Sequence, residues 1–312
     1  HHAQLERPRV EGTIRRTLGE SYRWLGEQDV SEQQFRLALA AFERTAPVDE
    51  LEVVETKDRL AGVLRSRDDE GDMVEAERLR REVLDGIREI LGDSHERIVP
   101  ALNNLGTVLI EVGKLDEAGE LFRAALDLVD SSPNPEVFSR EFLVVNLADI
   151  EREKGNGKSA ENLYLQVIDD PRAPVYARDN ARVQLGEMLF DAEQFESSII
   201  HLRRSFESRE EYFGPTDRLT LSSMRKTSRA MEAAQRYEEL IPFLEDSIER
   251  HTRSDRPAAG TVCEARYLMA KALIGLGRDE EAEAYLLDTI DLISRERGAD
   301  HQYALAAKKQ LE

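Results

Sequence analysis

Apolar residues recur along this chain at helical spacing, and the stripes come in pairs. Leu102, Leu105, Gly106 and Leu109 fall at i, i+3, i+4 and i+7, one face of a helix. The segment EVGKLDE then interrupts the stripe, with Gly113 suited to a left-handed cap. Ala118, Phe122 and Ala125 begin a second stripe. The pattern predicts two amphipathic helices joined by a short turn.

The pair repeats. Positions equivalent to Leu105 are Leu18, Leu60, Leu147, Leu185, Thr227 and Met269, and the steps along the series are 42, 45, 42, 38, 42 and 42 residues. The next residue is Gly19, Ala61, Gly106, Ala148, Gly186, Ser228 or Ala270, small in all seven frames. Second-helix anchors follow at Ser31, Ala76, Ala118, Ala160, Ser198, Leu240 and Ala282. Four residues further on stand Phe35, Arg80, Phe122, Tyr164, Leu202, Leu244 and Leu286. The long step carries a three-residue insertion within RDDEGDM, and the short one falls at the tight link DDPRAP. Links such as APVDE, LGDSHE and FGPTD are rich in helix stoppers and starters. No segment alternates as a strand with hairpin chemistry. The chain is expected to be all-α, seven helix hairpins that stack because none can bury its stripe alone.

Leu18, Gly19 and Tyr22, followed by Ser31, Phe35 and Ala38, resemble the tetratricopeptide repeat pattern. With its 42-residue step and the stretch LGDSHERIVPALNNLG over 91–106, the chain resembles the kinesin-light-chain subtype of that family. The resemblance runs from about Ile14 to Leu292, and it departs from the pattern in the sixth repeat, at Thr227 and Leu240. It implies a right-handed superhelical solenoid of about seven antiparallel hairpins, with an inner groove that accepts an extended peptide. The subtype also occurs in bacterial signalling proteins beside kinase domains, so the alternative it implies is a peptide- or ligand-sensing array controlling an attached effector, such as a kinase or transcription regulator.

Composition narrows the partners. Among 312 residues, 43 are Lys or Arg and 63 are Asp or Glu, a formal charge of −20. Such a field repels nucleic acid and anionic membranes, and neither is expected as a partner. Cys263 is the only cysteine, which leaves no disulfide framework and suggests a reducing, cytoplasmic setting. Apolar runs such as FLVV at 142–145 are far short of a membrane span. The start HHAQ reads as a tag remnant over residues 1–4; the repeat array is assigned to 5–300 and the start of a capping helix to 301–312.

Catalytic and cofactor chemistry finds little support. KGNGKSA over 154–160 ends like a phosphate loop, but Arg152 stands where the pattern needs glycine, and a helix precedes it instead of a strand. His95, His201, His251 and His301 lie at least fifty residues apart, without the spacing that closes a metal site. Acidic runs such as RDDEGD and RDEEAEA lack the ligand register of a calcium loop. Cys263 opens a core stripe and reads as a small buried hydrophobe. Neither an enzyme nor a cofactor or metal protein is expected.

A face carries more information. Residues at −2, +2 and +5 from each first-helix anchor form a stripe away from the core stripe. Across the seven repeats it holds seven basic and five acidic residues, +2 on a chain of −20. The resemblance makes this stripe the groove wall. Candidate partner contacts on or beside it are Asn103, Asn104, Asn146, Arg152, Phe190, Arg225, Lys226, Arg229, Tyr267 and Lys271. Asn104 and Asn146 stand one residue before their anchors, where related repeats use Asn to bond a peptide main chain, and an amide offers both donor and acceptor. Arg225, Lys226 and Arg229 make a basic cluster, which favours a protein or peptide partner with an acidic or mixed extended segment. Phe190, Tyr267 and Ile274 offer apolar pockets. The competing reading is that these polar residues only solvate an inner wall.

Overall fold

The computed structural model describes residues 2–67, 71–132, 139–252, 259–297 and 302–311. Among them are fifteen helices and no strand. In chain order they are α1 (His2–Trp24), α2 (Gln28–Phe42), α3 (Glu50–Arg67), α4 (Asp72–Leu91), α5 (Ile98–Glu111), α6 (Leu115–Ser131), α7 (Arg140–Glu153) and α8 (Gly157–Asp169). These are followed by α9 (Val175–Asp191), α10 (Phe195–Phe213), α11 (Arg218–Ala233), α12 (Tyr237–Thr252), α13 (Ala259–Gly275), α14 (Asp279–Arg297) and α15 (Gln302–Leu311). Odd-numbered helices from α1 to α13 fall at the expected first-helix positions and even-numbered ones, up to α14, at the second-helix positions, so the seven helix pairs follow in the expected order. Helix α1 runs through the residues assigned to a tag, and α15 occupies most of the expected capping segment. The extra residues of repeat two fall partly on 68–70, and the links at 133–138, 253–258 and 298–301, with His301, lie outside the described residues.

One turn is built seven times. The residue eight past each first-helix anchor, eleven past it in repeat two, takes a left-handed backbone: Gly26, Gly71, Gly113, Gly155, Glu193, Gln235 and Gly277. At Gly113 the amide donates to the Ile110 carbonyl at 2.9 Å, and Lys114 N–H reaches back to Leu109 O at 2.8 Å. Arg236 to Met231 and Arg278 to Leu273 repeat the second bond, which satisfies carbonyls left open at the helix end. The apparent phosphate loop is one of these turns, with Gly155 at φ 79° and α8 starting at Gly157.

The chain divides into two compact units, residues 1–160 and 161–312. In the first, the core is contiguous from Val54 through Leu102, Leu105 and Phe122 to Leu143 and Ile150, with Phe35, Leu60 and Leu64 in a second cluster. In the second, Leu202, Leu240, Leu244, Met269 and Leu286 hold the core. Two anchors are less buried than the pattern implies. Leu18 is 39% exposed, one flank of α1 being uncovered, and Leu147 is half-buried. Cys263 is fully buried, as expected of a small core residue.

Candidate partner-binding surface

In the first unit, three helices enclose a cleft of about 180 Å³. Leu51 and Val54 of α3, Val83 and Ile87 of α4, and Pro100 and Ala101 of α5 line it with apolar surface. Glu55, Asp58, Arg59, Arg97 and Asn104 supply the polar part of the lining. Gly86 lets α4 close on α3: a Cβ there would sit 2.6 Å from Val54 Cγ2. The cleft thus belongs to the seam between repeats two and three, with Asp58 of the stripe and Asn104 beside it in its lining.

Its charges are arranged in pairs. Arg97 Nη1 donates to Glu55 Oε1 at 2.8 Å, and Arg16 reaches both Glu55 and Glu52 from the preceding repeat. Arg59 lies 3.3 Å from Glu20. Beneath them Arg80, only 7% exposed, pairs with Asp58, whose Oδ1 also accepts from Asn104 Nδ2 at 3.4 Å. Arg80 holds the position that Phe35, Phe122 and Leu202 hold in other repeats. Burial pushes its guanidinium below the ordinary value, and the Asp58 carboxylate opposes that shift.

The candidate amides are engaged. Asn146 Nδ2 donates to Asn103 Oδ1 at 2.9 Å, which links repeats four and three, and Asn104 is held by Asp58. Each of these bonds takes one N–H of an amide that also carries a second N–H and a carbonyl oxygen. Arg152 is half-buried near Glu153, at 3.4 Å. The stripe also needs a correction: Val145 and Val183 are 2% and 5% exposed and belong to the core, because α7 and α9 carry packed neighbours on that side as well.

In the second unit the expected basic cluster is distributed among separate partners. Lys226 pairs with Glu187, Arg225 approaches Glu264 at 3.7 Å, and Arg229 lies 4.1 Å from the centroid of the Phe190 ring. Phe190 in turn packs against Phe195 at 5.3 Å between centroids. Lys271 Nζ is 2.5 Å from Glu232. Phe190, Tyr267 and Ile274 are half-buried against the core cluster of this unit instead of forming open pockets. Within each unit, candidates on neighbouring repeats therefore pair with one another or with nearby carboxylates and rings. The structure also adds residues that the stripe missed: Leu51, Val54, Val83 and Ile87 come from two helices at other offsets, and only the stacking of repeats unites them.

Among the described residues no group of three or more His, Cys, Asp or Glu is placed to hold a metal ion. His95 accepts from the Arg97 backbone N–H at 3.2 Å in its link. Burial and nearby Arg182 push the His201 imidazole below its ordinary value. No helix among the described residues is long and apolar enough to cross a membrane.

Family models described as tetratricopeptide repeat match residues 52–131, 178–253 and 263–303, more than half of the chain. No curated protein matches it. Of the similar solved structures, aspartyl phosphate phosphatase F from Bacillus subtilis is 9% identical, with 96% of this chain and 73% of that one covered, at a TM-score of 0.61. The apo form of the quorum sensor NprR from B. thuringiensis is 11% identical, with 90% and 87% covered, at 0.57. The nearly identical TPR-like repeats of a Podosopora anserina kinesin light chain are 15% identical, with 78% and 96% covered, at 0.44.

Proposed function

Because this chain belongs to the tetratricopeptide-repeat family, we propose that it is a protein-interaction module whose first-helix face binds an extended segment of a partner protein. The observation that carries this reading is the cleft at repeats two and three. It combines a packed apolar lining with a charged rim, the composition of a site that buries a side chain and orients its backbone. A volume of about 180 Å³ admits one large side chain, so the remaining affinity comes from neighbouring positions along the face. Rim carboxylates and guanidiniums are already paired, which favours a partner that inserts between them, with acidic or mixed charge. Asn103, Asn104, Asn146, Arg152, Phe190, Arg225, Lys226, Arg229, Tyr267 and Lys271 are the proposed contacts along that face.

A display library of extended peptides, selected against the intact chain, tests the reading. Filling the cleft with Asn104→Trp should weaken the selected peptides by at least about tenfold, roughly 1.4 kcal/mol. Peptides that bind the filled and open forms equally, with helicity unchanged, would refute it.

A second reading is favoured by the likeness to a quorum sensor at a TM-score of 0.57: an array whose occupancy is passed to an attached effector. Binding that changes the protection of distant helices would favour this reading over a passive scaffold.

A further inference from the structure

Repeat six is divided differently from its neighbours. In the hairpins on either side, α9 lies close along α10 and α13 along α14. Helix α11 instead lies close along α10, α12 lies along α13, and the two helices of repeat six approach each other far less. The seam of this unit therefore falls inside a repeat.

The chemistry of the seam matches its geometry. On α11, Ser223, Thr227 and Ser228 are fully buried; other repeats carry Leu or Met at the Thr227 position and Gly or Ala at the Ser228 position. Thr227 Oγ1 donates to Ser223 O at 2.8 Å and Ser228 Oγ to Met224 O at 2.9 Å, so both hydroxyls bond within their own helix. Such back-bonding satisfies the group without tying the helix to a neighbour. The tie on the opposite flank is polar and directional: Arg209 of α10, 7% exposed, donates to Ser223 Oγ at 2.9 Å and Leu219 O at 3.3 Å. Across the seam, Ser247 Oγ of α12 donates to a thioether of α11, Met224 Sδ, at 3.0 Å. The connecting turn places Gln235 at φ 55°, a conformation that favours glycine, and Pro242 removes a backbone donor from inside α12.

We propose that the α11–α12 seam is a joint, at which the second unit opens reversibly by local unfolding of α11 and the first half of α12. Two ion pairs latch it on the first-helix face: Arg225 of α11 with Glu264 of α13, and Glu232 of α11 with Lys271 of α13. Any anionic segment that takes Arg225 or Lys271 from its carboxylate releases a latch, which couples occupancy of that face to the setting of the joint. The coupling rests on the reading of that face as a partner surface; the joint does not.

Hydrogen–deuterium exchange of the intact chain, measured without any partner, separates the two. Amides of α11 and the first half of α12 should exchange together, at least about tenfold faster than those of α9 and α10, as a sub-global opening does. Glu232→Gln with Glu264→Gln should speed exchange of α11 and α12 by about threefold, the scale of two partly exposed pairs, and leave α9 unchanged. Protection of α11 equal to that of α9 would overturn the joint. Latch variants that leave exchange unaltered, or raise it uniformly through the unit, would overturn the latch.

Discussion

The Phe122 ring lies directly over Gly106: a Cβ built on that glycine would stand 2.6 Å from Phe122 Cζ. Gly19 stands in the same relation to Phe35, and Gly186 to Leu202, each sixteen residues apart in sequence. The small residue of the repeat is thus a socket for the large one of the second helix. In repeats one and five the contact is fastened, with Ser31 Oγ donating to Gly19 O at 2.8 Å and Ser198 Oγ to Gly186 O at 2.7 Å.

Two glycines of one hairpin should therefore respond oppositely to alanine. Gly106→Ala forces the buried ring aside and should destabilise by about 1–3 kcal/mol, despite alanine's better helix propensity. At Gly119, inside α6, the nearest atoms to an added Cβ belong to the Arg123 guanidinium, at an ordinary contact distance of 3.6 Å. Gly119→Ala should stabilise by about 0.5–1 kcal/mol. Urea midpoints of the two variants check this, and a shared sign would contradict the socket.

The seven turns give a second contrast. Five carry glycine at the left-handed position, whereas Glu193 holds φ 58° at the cost of Cβ crowding. Glu193→Gly should raise stability by about 0.5–1 kcal/mol, after the added freedom of the unfolded chain is subtracted. Gly113→Ala, in the equivalent turn, should lower it by about 1 kcal/mol. Thermal melts of the two variants, shifting in opposite directions, are the expected outcome.

Acid should weaken the ladder of ion pairs between second helices. Hydrogen bonds from Arg36 hold the Glu75 carboxyl below its ordinary value of 4.5, and those from Arg81 do the same for Glu117. Arg36 Nη2 lies 2.6 Å from Glu75, and Arg81 Nη2 2.9 Å from Glu117, each pair joining successive repeats. A lowered folded-state pKa gives stability that is complete above the unfolded value and disappears as pH falls through the folded one. Melting temperature should therefore be flat above about pH 5 and fall below about pH 4.5. Arg36→Gln with Arg81→Gln should flatten that slope; an unchanged slope would mean that solvent screens these pairs completely.

Much of this architecture was readable because one physical requirement recurs. A hairpin that must stack on its neighbours needs a close approach at a fixed step, so Gly19, Gly106 and Gly186 stand in register, as do the turns at Gly26 and Gly113. What escaped the reading depends on relations between repeats. The cleft draws Val54 from α3, Val83 from α4 and Ala101 from α5, and no spacing within one helix announces that meeting. Asn104 and Arg225 looked available because a sequence does not display the carboxylates that neighbouring repeats bring to them. Thr227 marked repeat six as irregular, but only the packing places the seam between α11 and α12.

Arg80 supplies the last test. In series with Phe35 and Phe122 it occupies a core position, yet it carries a charge whose partner, Asp58, lines the cleft with about a third of its side chain exposed. Removing either partner is not symmetrical. Asp58→Ala strands a guanidinium in apolar surroundings and should cost about 2–4 kcal/mol. Arg80→Leu frees a carboxylate that water can reach and restores the residue type of other repeats, so it should change stability by less than about 1 kcal/mol. The double variant should resemble Arg80→Leu alone, because nothing charged is left buried. Denaturant melts of the three chains decide it. An Arg80→Leu variant as unstable as Asp58→Ala would mean that the pair itself, and not the burial of an unpaired charge, holds repeat two together.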